Sequence, residues 1–191
     1  MDTQRQAFDD AVLEGDGFRL RPPGLDDVGR VAEACADEVT QHWLPLPRPY
    51  GPAEATGFIE GFAVQALREG TGLVRAIETD GHLVGMVDLK NADWRNQTAE
   101  VGYWTAPWAR RQGYAVRAVT AASRFAFGDL GLRRLYLFHA VENEGSCAVA
   151  LAAGFRHEGT LRESYRYADG VHHDEHLHGL LARDLGIGVN G

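Results

Sequence analysis

The chain has 191 residues, of which 45% are hydrophobic and 24% charged, so it is long enough to bury a core without metal or disulfide staples. Its formal charge of −8 at pH 7 repels phosphate backbones, which disfavours nucleic-acid binding, whereas cationic substrates would be attracted. Two cysteines make no disulfide framework, and neither a signal peptide nor a long apolar run is visible, which favours a cytoplasmic protein with reduced thiols and no membrane partner.

The first third of the chain predicts a leader, one short strand and two helices. Residues 1–16 are expected to form a loose or weakly helical leader, and Phe18–Arg21 alternates like a strand. Asp26 is predicted to cap the first helix. Residues 42–52 contain four prolines and are expected to form an ordered loop before a second helix at Ala53–Glu69.

The remainder of the chain predicts six strands and two helices. Alternating apolar residues and intervening turn residues predict strands at Leu73–Glu78, His82–Leu89, Thr98–Thr105, Arg134–Ala140, Phe155–Tyr167 and Val171–Leu181. Helical spacing predicts helices at Ala115–Leu130 and Ser146–Ala153. Early hairpins followed by a β-α-β unit indicate a mixed α/β (α+β) sheet with helices on both faces, in a single domain over residues 17–183 with a frayed tail at 184–191.

The segment Arg110–Ala115 has the features of an anion-binding turn. It joins a predicted strand to the strongest predicted helix, whose first backbone amides are unpaired and whose dipole favours negative charge. Gly113 allows a phosphate to approach the backbone, and Arg110 and Arg111 add positive charge. A lone glycine here would favour a solvated basic turn, but the strand–turn–helix context and the paired arginines favour a pyrophosphate cradle, without a Rossmann or P-loop pattern.

Three ordered motifs resemble the GNAT superfamily of N-acetyltransferases, in particular its RimJ/RimL-like branch. The pattern R-x-x-G-x-A at residues 110–115 matches the acyl-CoA motif R/Q-x-x-G-x-G/A of that superfamily. Residues 99–104 look like the strand before this motif, and residues 143–146 with 152–155 resemble the N-x-x-S…GF segment of the branch. The resemblance covers about residues 83–181.

The resemblance implies a mostly antiparallel sheet of about seven strands with a V-shaped splay. The strands Thr98–Thr105 and Arg134–Ala140 would separate and admit the pantetheine arm of acetyl-CoA or another short acyl-CoA. Asn143 and Ser146 would contact the cofactor arm. Backbone groups of the splayed strand would pair with the pantetheine amides (Tyr103, Trp104 and Thr105), and the turn would hold the pyrophosphate (Arg110, Arg111, Gln112, Gly113, Tyr114 and Ala115).

Two residues are candidates for the chemistry of acyl transfer to an amine, which needs a base for the amine and an acid for the leaving thiolate. In related GNAT enzymes a glutamate at the strand position of Glu100 can act as base, directly or through water; the alternative is a solvated or ion-paired carboxylate. Many GNAT enzymes use a tyrosine as the acid, but this chain has Ala150 at that position. The resemblance therefore indicates Ser146 as the acid, with a helix-capping role as the alternative.

The acceptor pocket is predicted less directly, from Trp43, Tyr50 and His176. In the resembled branch the loop that holds Trp43 and Tyr50 helps to wall the acceptor site, although it could equally plug the core. His176 belongs to a row of polar residues on one strand face: His172, Asp174, His176 and His178. Such a row could bind a metal, but structural zinc usually takes ligands from separate elements and no cysteine joins this row, so we expect no metal.

These features together predict an enzyme. It would transfer an acetyl or similar short acyl group from acyl-CoA to a primary amine of a peptide or protein N-terminus or of a small molecule. The amine would attack directly in a ternary complex, without a covalent enzyme intermediate. The alternatives are a non-catalytic acyl-CoA sensor or scaffold and a nucleotide-binding module; the oligomeric state is expected to be a monomer or homodimer.

Overall fold

One eight-stranded sheet organises the computed structural model, which describes residues 8–188. In chain order the strands are β1 (Leu13–Gly15), β2 (Phe18–Arg21), β3 (Leu73–Thr79), β4 (His82–Asp93), β5 (Thr98–Thr105), β6 (Arg134–Ala140), β7 (Arg156–Arg166) and β8 (His172–Leu181). Their order across the sheet is β1-β2-β3-β4-β5-β6-β8-β7, and each neighbouring pair is antiparallel except β5 and β6. The predicted mixed, mostly antiparallel sheet is confirmed, with one strand more than expected.

Six α-helices pack on this sheet: α1 (Val28–Ala36), α2 (Glu38–Trp43), α3 (Pro52–Thr56), α4 (Val64–Glu69), α5 (Tyr114–Gly128) and α6 (Glu144–Ala152). A π-helical stretch at Gly57–Ala63 joins α3 to α4, so the three segments together form the predicted second helix. None of the helices within residues 8–188 combines the length and the apolar character needed to cross a bilayer.

Two hydrophobic clusters lie on opposite faces of the sheet. Side chains alternate along each strand, so Ala99 and Val101 of β5 point to one face and Trp104 to the other. The larger cluster packs under α5 and α6, and the smaller one packs under α1, α3 and the π-helical stretch. The predicted placement of helices on both faces is therefore confirmed.

The N-terminal segment differs from the loose or weakly helical leader expected over residues 1–16. Its first seven residues lie outside the described residues, but Leu13–Gly15 forms β1 and pairs with β2. Phe8 is buried against Trp94, with ring centroids 5.0 Å apart. Sparse apolar side chains in a polar stretch thus hold this segment on the core.

Two helix ends also differ from the sequence predictions. The carboxylate that accepts from the Gly24 N–H, at 2.9 Å, belongs to Asp27, so Asp26 does not cap the first helix. At the other end of the chain, part of the predicted frayed tail forms a helical turn at Ala182–Leu185, because Asp184 accepts from the Leu181 N–H. Residues 189–191 lie outside the described residues.

The feature that positions the site is the separation of β5 from β6. These parallel strands pair only at Thr98–Arg134, Ala99–Leu135 and Glu100–Tyr136. Beyond that point β5 continues along β4 and β6 continues along β8, so the two diverge. The predicted V-shaped splay between Thr98–Thr105 and Arg134–Ala140 is confirmed.

Candidate active site

The splay opens into a cleft of about 1110 Å³. Ten of the eleven residues predicted to contact the cofactor line this cleft, and the exception is Gln112. Glu100 and Trp43 line it as well, whereas Tyr50 and His176 do not. The fold therefore brings β5, the turn at residues 110–115 and the start of α6 around one cavity. The spacing of these segments in the sequence could not by itself establish that they meet.

The β6-facing edge of β5 supplies one wall of the cleft. Beyond Glu100 this edge has no strand partner among residues 8–188, while the opposite edge is paired with β4 through Thr105. Backbone N–H and C=O groups on an unpaired edge can hydrogen-bond an extended ligand in the manner of an added strand. The amide-containing arm of an acyl-CoA fits such an edge.

At the end of this wall, Gly113 stands in the N-cap position of α5. Its φ of 77° lies in the left-handed region that favours glycine, and open space surrounds the position where a Cβ would stand. No side chain of the described residues caps α5. The first amides of α5 are therefore available to an anion such as a pyrophosphate.

The two arginines of the turn have different surroundings. The Arg110 guanidinium is bound to the Asp37 carboxylate and donates to Thr40 Oγ1 at 2.9 Å, so it ties the turn to α2. Arg111 is exposed, and no carboxylate of the described residues forms an ion pair with it. The Arg110 side chain is thus a structural tie, which leaves Arg111 as the arginine with an unpaired charge at the turn.

Gln112 does not line the cleft. Its Nε2 donates to the Trp108 carbonyl at 3.2 Å, and the Arg30 guanidinium lies 5.6 Å from the Trp108 ring centroid. The Gln112 side chain therefore stabilises the turn through its hydrogen bond to the Trp108 carbonyl.

The start of α6 places two hydroxyl groups together at the cleft. Asn143 caps α6, because its Oδ1 accepts from the Ser146 N–H at 3.0 Å. The capping role considered for Ser146 is therefore wrong, and its Oγ lies 2.8 Å from the Tyr103 hydroxyl. Burial raises the pKa of Tyr103 to about 12, so this hydroxyl keeps its proton at neutral pH.

The Tyr103 hydroxyl is a feature that our sequence analysis missed, since only the backbone of Tyr103 was assigned to the cofactor. Alternation along β5 puts Tyr103 on the face of Ala99 and Val101, which α5 and α6 cover. That periodicity was the available signal. It placed Tyr103 on the side of the sheet that Ser146 approaches.

Glu100 lies at the point where β5 and β6 diverge, with 17% of its side chain exposed. One carboxylate oxygen is 3.1 Å from Lys90 Nζ, and the other accepts from Asn91 Nδ2 at 2.8 Å. This geometry matches the ion-paired alternative for Glu100, yet it leaves the carboxylate on the wall of the cleft.

Beside Glu100 the cleft is walled by aromatic rings and a second carboxylate. Trp43 lies edge-to-face with Tyr167 at 6.0 Å, and Tyr165 packs on Tyr167 at 5.1 Å. Glu175 is buried and accepts from the Tyr167 hydroxyl at 2.9 Å. Sequence reasoning missed the two tyrosines and Glu175, because the pairing of β7 with β8 and the packing of Trp43 on Tyr167 join residues that are far apart in the chain.

Two residues predicted for the acceptor pocket lie elsewhere. Tyr50 is buried in the smaller hydrophobic cluster next to Cys35, because its loop folds back over α1. His176 lies on the opposite face of the sheet from Glu175, near Cys147 of α6. Within the predicted row of polar residues, His172 is exposed and Asp174 accepts from the Glu163 N–H at 2.8 Å.

Comparison with known proteins gives a family. A family model described as "Acetyltransferase (GNAT) domain" matches residues 18–156. YdaF of Bacillus subtilis (strain 168), provisionally named a ribosomal N-acetyltransferase, is 38% identical over 113 residues, which are 59% of this chain and 61% of YdaF. The uncharacterised N-acetyltransferase YoaA of the same organism is 29% identical over 172 residues, which are 89% of this chain and 96% of YoaA.

A solved structure agrees with these relatives. Mycobacterium smegmatis RimJ in complex with CoA-disulfide superposes with a TM-score of 0.82 at 25% identity, covering 92% of this chain and 88% of that one. The match of the family model over most of the chain and the splayed sheet lead to the same conclusion: the chain belongs to the GNAT family of acetyltransferases.

Proposed function

We propose that the protein transfers an acetyl or similar short acyl group from acyl-CoA to a primary amine, by direct attack in a ternary complex. One observation carries this proposal. The unpaired edge of β5, the uncapped N-terminus of α5 and the Tyr103–Ser146 hydroxyl pair all face the same cleft. Family membership favours a transferase over a non-catalytic sensor that would use the same cleft.

The donor would lie along the open edge of β5. Backbone groups of Tyr103, Trp104 and Thr105 would pair with the amides of its arm, and the amides from Arg111 to Ala115 would hold its pyrophosphate. Arg111 would add charge attraction, since Arg110 is already paired with Asp37. The Asn143 Oδ1 is used in capping α6, so its amide nitrogen is the atom that would hydrogen-bond the arm.

The chemistry requires two proton transfers. The amine nitrogen attacks the thioester carbon, an N–C bond forms, and the C–S bond then breaks. Glu100 would accept the proton that the amine loses, and the Ser146 hydroxyl, supported by Tyr103, would give a proton to the departing sulfur. A backbone N–H of Tyr103–Thr105 would stabilise the oxyanion that forms between these steps.

The acceptor would be a peptide or protein α-amine, with a small amine as the second candidate. Glu100, Glu175 and the aromatic rings of Trp43 and Tyr167 suit a cationic group, which binds to carboxylates and to ring faces. The provisional name of YdaF as a ribosomal N-acetyltransferase agrees with a protein acceptor. The reaction would take place in the cytoplasm.

A screen of acyl-CoA donors against amine acceptors, following thiol release, tests the proposal. Acetyl-CoA with free N-terminal peptides should give turnover, and N-terminally blocked peptides without lysine should give none. Tight CoA binding without thiol release on any acceptor would favour the sensor. Stronger binding of adenosine nucleotides that lack the pantetheine arm would favour a nucleotide-binding module.

The pH–rate profile of Glu100→Gln separates the two roles of this carboxylate. If Glu100 is the base, kcat should fall about 10²-fold or more and the acid limb of the profile should change. An unchanged rate and profile would assign Glu100 to the ion pair with Lys90 alone.

A further inference from the structure

A second cluster of reactive side chains lies under α6, on the face of the sheet opposite Glu100 and Glu175. His139 of β6 pairs in register with His176 of β8, and His178 lies two residues further along the same face of β8. The Cys147 side chain, on α6, lies next to these three imidazole rings. Each of the four residues offers one ligand atom, and these four atoms lie within 4.8 Å of one another.

The hydrogen bonds of His139 leave a ring nitrogen directed into this cluster. A carbonyl oxygen only accepts, so the contact of 2.8 Å between His139 Nδ1 and the Ala140 oxygen requires a proton on Nδ1. Nε2 of the neutral ring then presents a lone pair, and it lies 3.1 Å from His178 Nε2. A carbonyl that orients a histidine in this way is typical of metal ligands.

The other two histidines lack partners for buried polar atoms. His178 is 1% exposed, and its Nδ1 and that of His176 have no hydrogen-bond partner among residues 8–188. Neutral imidazoles that face one another with unsatisfied nitrogens are costly in a buried site unless a cation or other partner joins them.

We propose that His139, His176, His178 and Cys147 together bind one divalent transition-metal ion. Three imidazoles and one thiolate make a four-coordinate set of the ligands that zinc prefers, and zinc is the ion that we assign. The ligands come from three separate elements and include a cysteine. These two properties distinguish the cluster from the row of strand residues His172, Asp174, His176 and His178, for which the sequence predicts no metal.

The proposed ion has a structural role. Four protein ligands leave no open position for a substrate, so the ion would take no part in acyl transfer. Cys147 directly follows Ser146, and an ion here would fix α6 to β6 and β8. This inference does not rest on the proposed function, because the four ligand atoms would bind the ion whether or not an acyl-CoA occupies the neighbouring cleft, which His139 also lines.

Metal binding can be tested on the untagged full-length chain, since a histidine tag would itself bind metal. Metal content is measured as purified, then after chelation, and the chain is titrated with Co²⁺ as a spectroscopic probe. We expect one equivalent of Co²⁺, a thiolate-to-cobalt charge-transfer band and the intense visible bands of a tetrahedral site, all removed by Zn²⁺. Unfolding on chelation that Zn²⁺ reverses would also support the site.

Variants locate the ion. Cys147→Ser should abolish the charge-transfer band, and His178→Gln should weaken Co²⁺ binding at least about tenfold. His172→Ala, on an exposed histidine of the same strand, should behave like the parent chain. His178→Gln could unfold the protein, so Cys147→Ser, which keeps the side-chain shape, decides the question. No stoichiometric uptake by the parent chain, or a charge-transfer band that persists in Cys147→Ser, would overturn the proposal.

Discussion

At the scale of single residues, the chemistry proposed for Ser146 can be tested apart from the stability of α6, because Asn143 and not Ser146 caps that helix. Asn143 caps the helix, whereas the one side chain of residues 8–188 that hydrogen-bonds the Ser146 hydroxyl is Tyr103. We therefore expect Ser146→Ala to lower kcat about 10²-fold with little change in melting temperature. Asn143→Ala should lower the free energy of unfolding by about 1 kcal/mol.

The matched control is Asn143→Asp, which keeps an acceptor oxygen for the Ser146 N–H and should retain most of the stability. Steady-state kinetics and urea unfolding measure the two effects independently. Full turnover by Ser146→Ala, or a loss of stability in that variant instead of in Asn143→Ala, would contradict this division of roles.

Gly102 is required by its neighbour on β4. A Cβ at this position would lie 2.3 Å from Asp88 Oδ1, and Asp88 is directly opposite Gly102 in the strand register. Burial raises the pKa of Asp88, and its Oδ1 has no hydrogen-bond partner among the described residues. We expect Gly102→Ala to lower the free energy of unfolding by about 1–3 kcal/mol, as other overpacked sites do.

Urea unfolding of Gly102→Ala beside Gly57→Ala measures this effect. Gly57 is helical and has open space around the Cβ position, so its substitution should be neutral or stabilising. If both variants have the stability of the parent chain, the close approach of Asp88 does not constrain Gly102.

At the scale of elements, Glu78 joins β3 to β2. Its carboxylate is buried and is bound by Arg21 and by Arg19, the latter at 2.6 Å, while Arg21 also holds Asp27 at the start of α1. The hydrogen bonds from Arg21 and then Arg19 lower the pKa of Glu78. A lowered folded-state pKa gives stability that is present above the unfolded-state pKa and is lost as pH falls through the folded-state value.

We expect Glu78→Gln to reduce the free energy of unfolding by about 1–3 kcal/mol at pH 7. The difference from the parent chain should shrink as the pH falls below about 4, where the unfolded carboxylate takes up its proton. Urea unfolding across this pH range measures the effect. Glu60→Gln, on an exposed carboxylate, is the control and should show no such dependence. A pH-independent loss in Glu78→Gln would assign its effect to packing instead of charge.

The same elements show which structural features a local sequence pattern can predict. The bounds of β5 and β6 were predicted to the residue, because alternation and flanking turns act over a few positions. β1 was missed, since a strand of three residues has too little alternation to detect. The Arg110–Asp37 pair joins residues far apart in the chain, and residue type alone had suggested a phosphate ligand there.

At the scale of the molecule, the fold unites groups that the sequence keeps apart. The resemblance carried by residues 99–115 and 143–155 was enough to predict the splayed sheet and ten of the residues that line the cleft. The proposed acceptor side includes Trp43, Tyr167 and Glu175, which the pairing of β7 with β8 and the packing of Trp43 on Tyr167 bring together. The pairing of β6 with β8 brings the three histidines together on the other face. Contacts between residues so far apart in the chain produce no local sequence pattern from which they could be predicted.

The charges of the whole molecule predict how salt affects each substrate. The formal charge is −8, and Glu100 and Glu175 line the proposed acceptor side of the cleft, while Arg111 at the proposed donor side has no ion-pair partner among the described residues. Salt screens such attraction over about 10 Å at 0.1 M. Raising the salt concentration should therefore lower kcat/KM for a lysine-containing peptide, by up to roughly tenfold. For a peptide with glutamate in place of lysine, the same increase in salt concentration should lower kcat/KM much less.

Thiol-release kinetics at increasing NaCl, with both peptides at saturating acetyl-CoA, measure this dependence. Arg111→Ala supplies the second half of the test: it should raise the KM for acetyl-CoA and flatten the salt dependence of that KM, because one phosphate contact is lost. Arg110→Ala should instead lower stability, since its guanidinium ties the turn to Asp37 of the neighbouring helix. Identical salt profiles for the two peptides would mean that the acceptor amine approaches by a route that the carboxylates of the cleft do not influence.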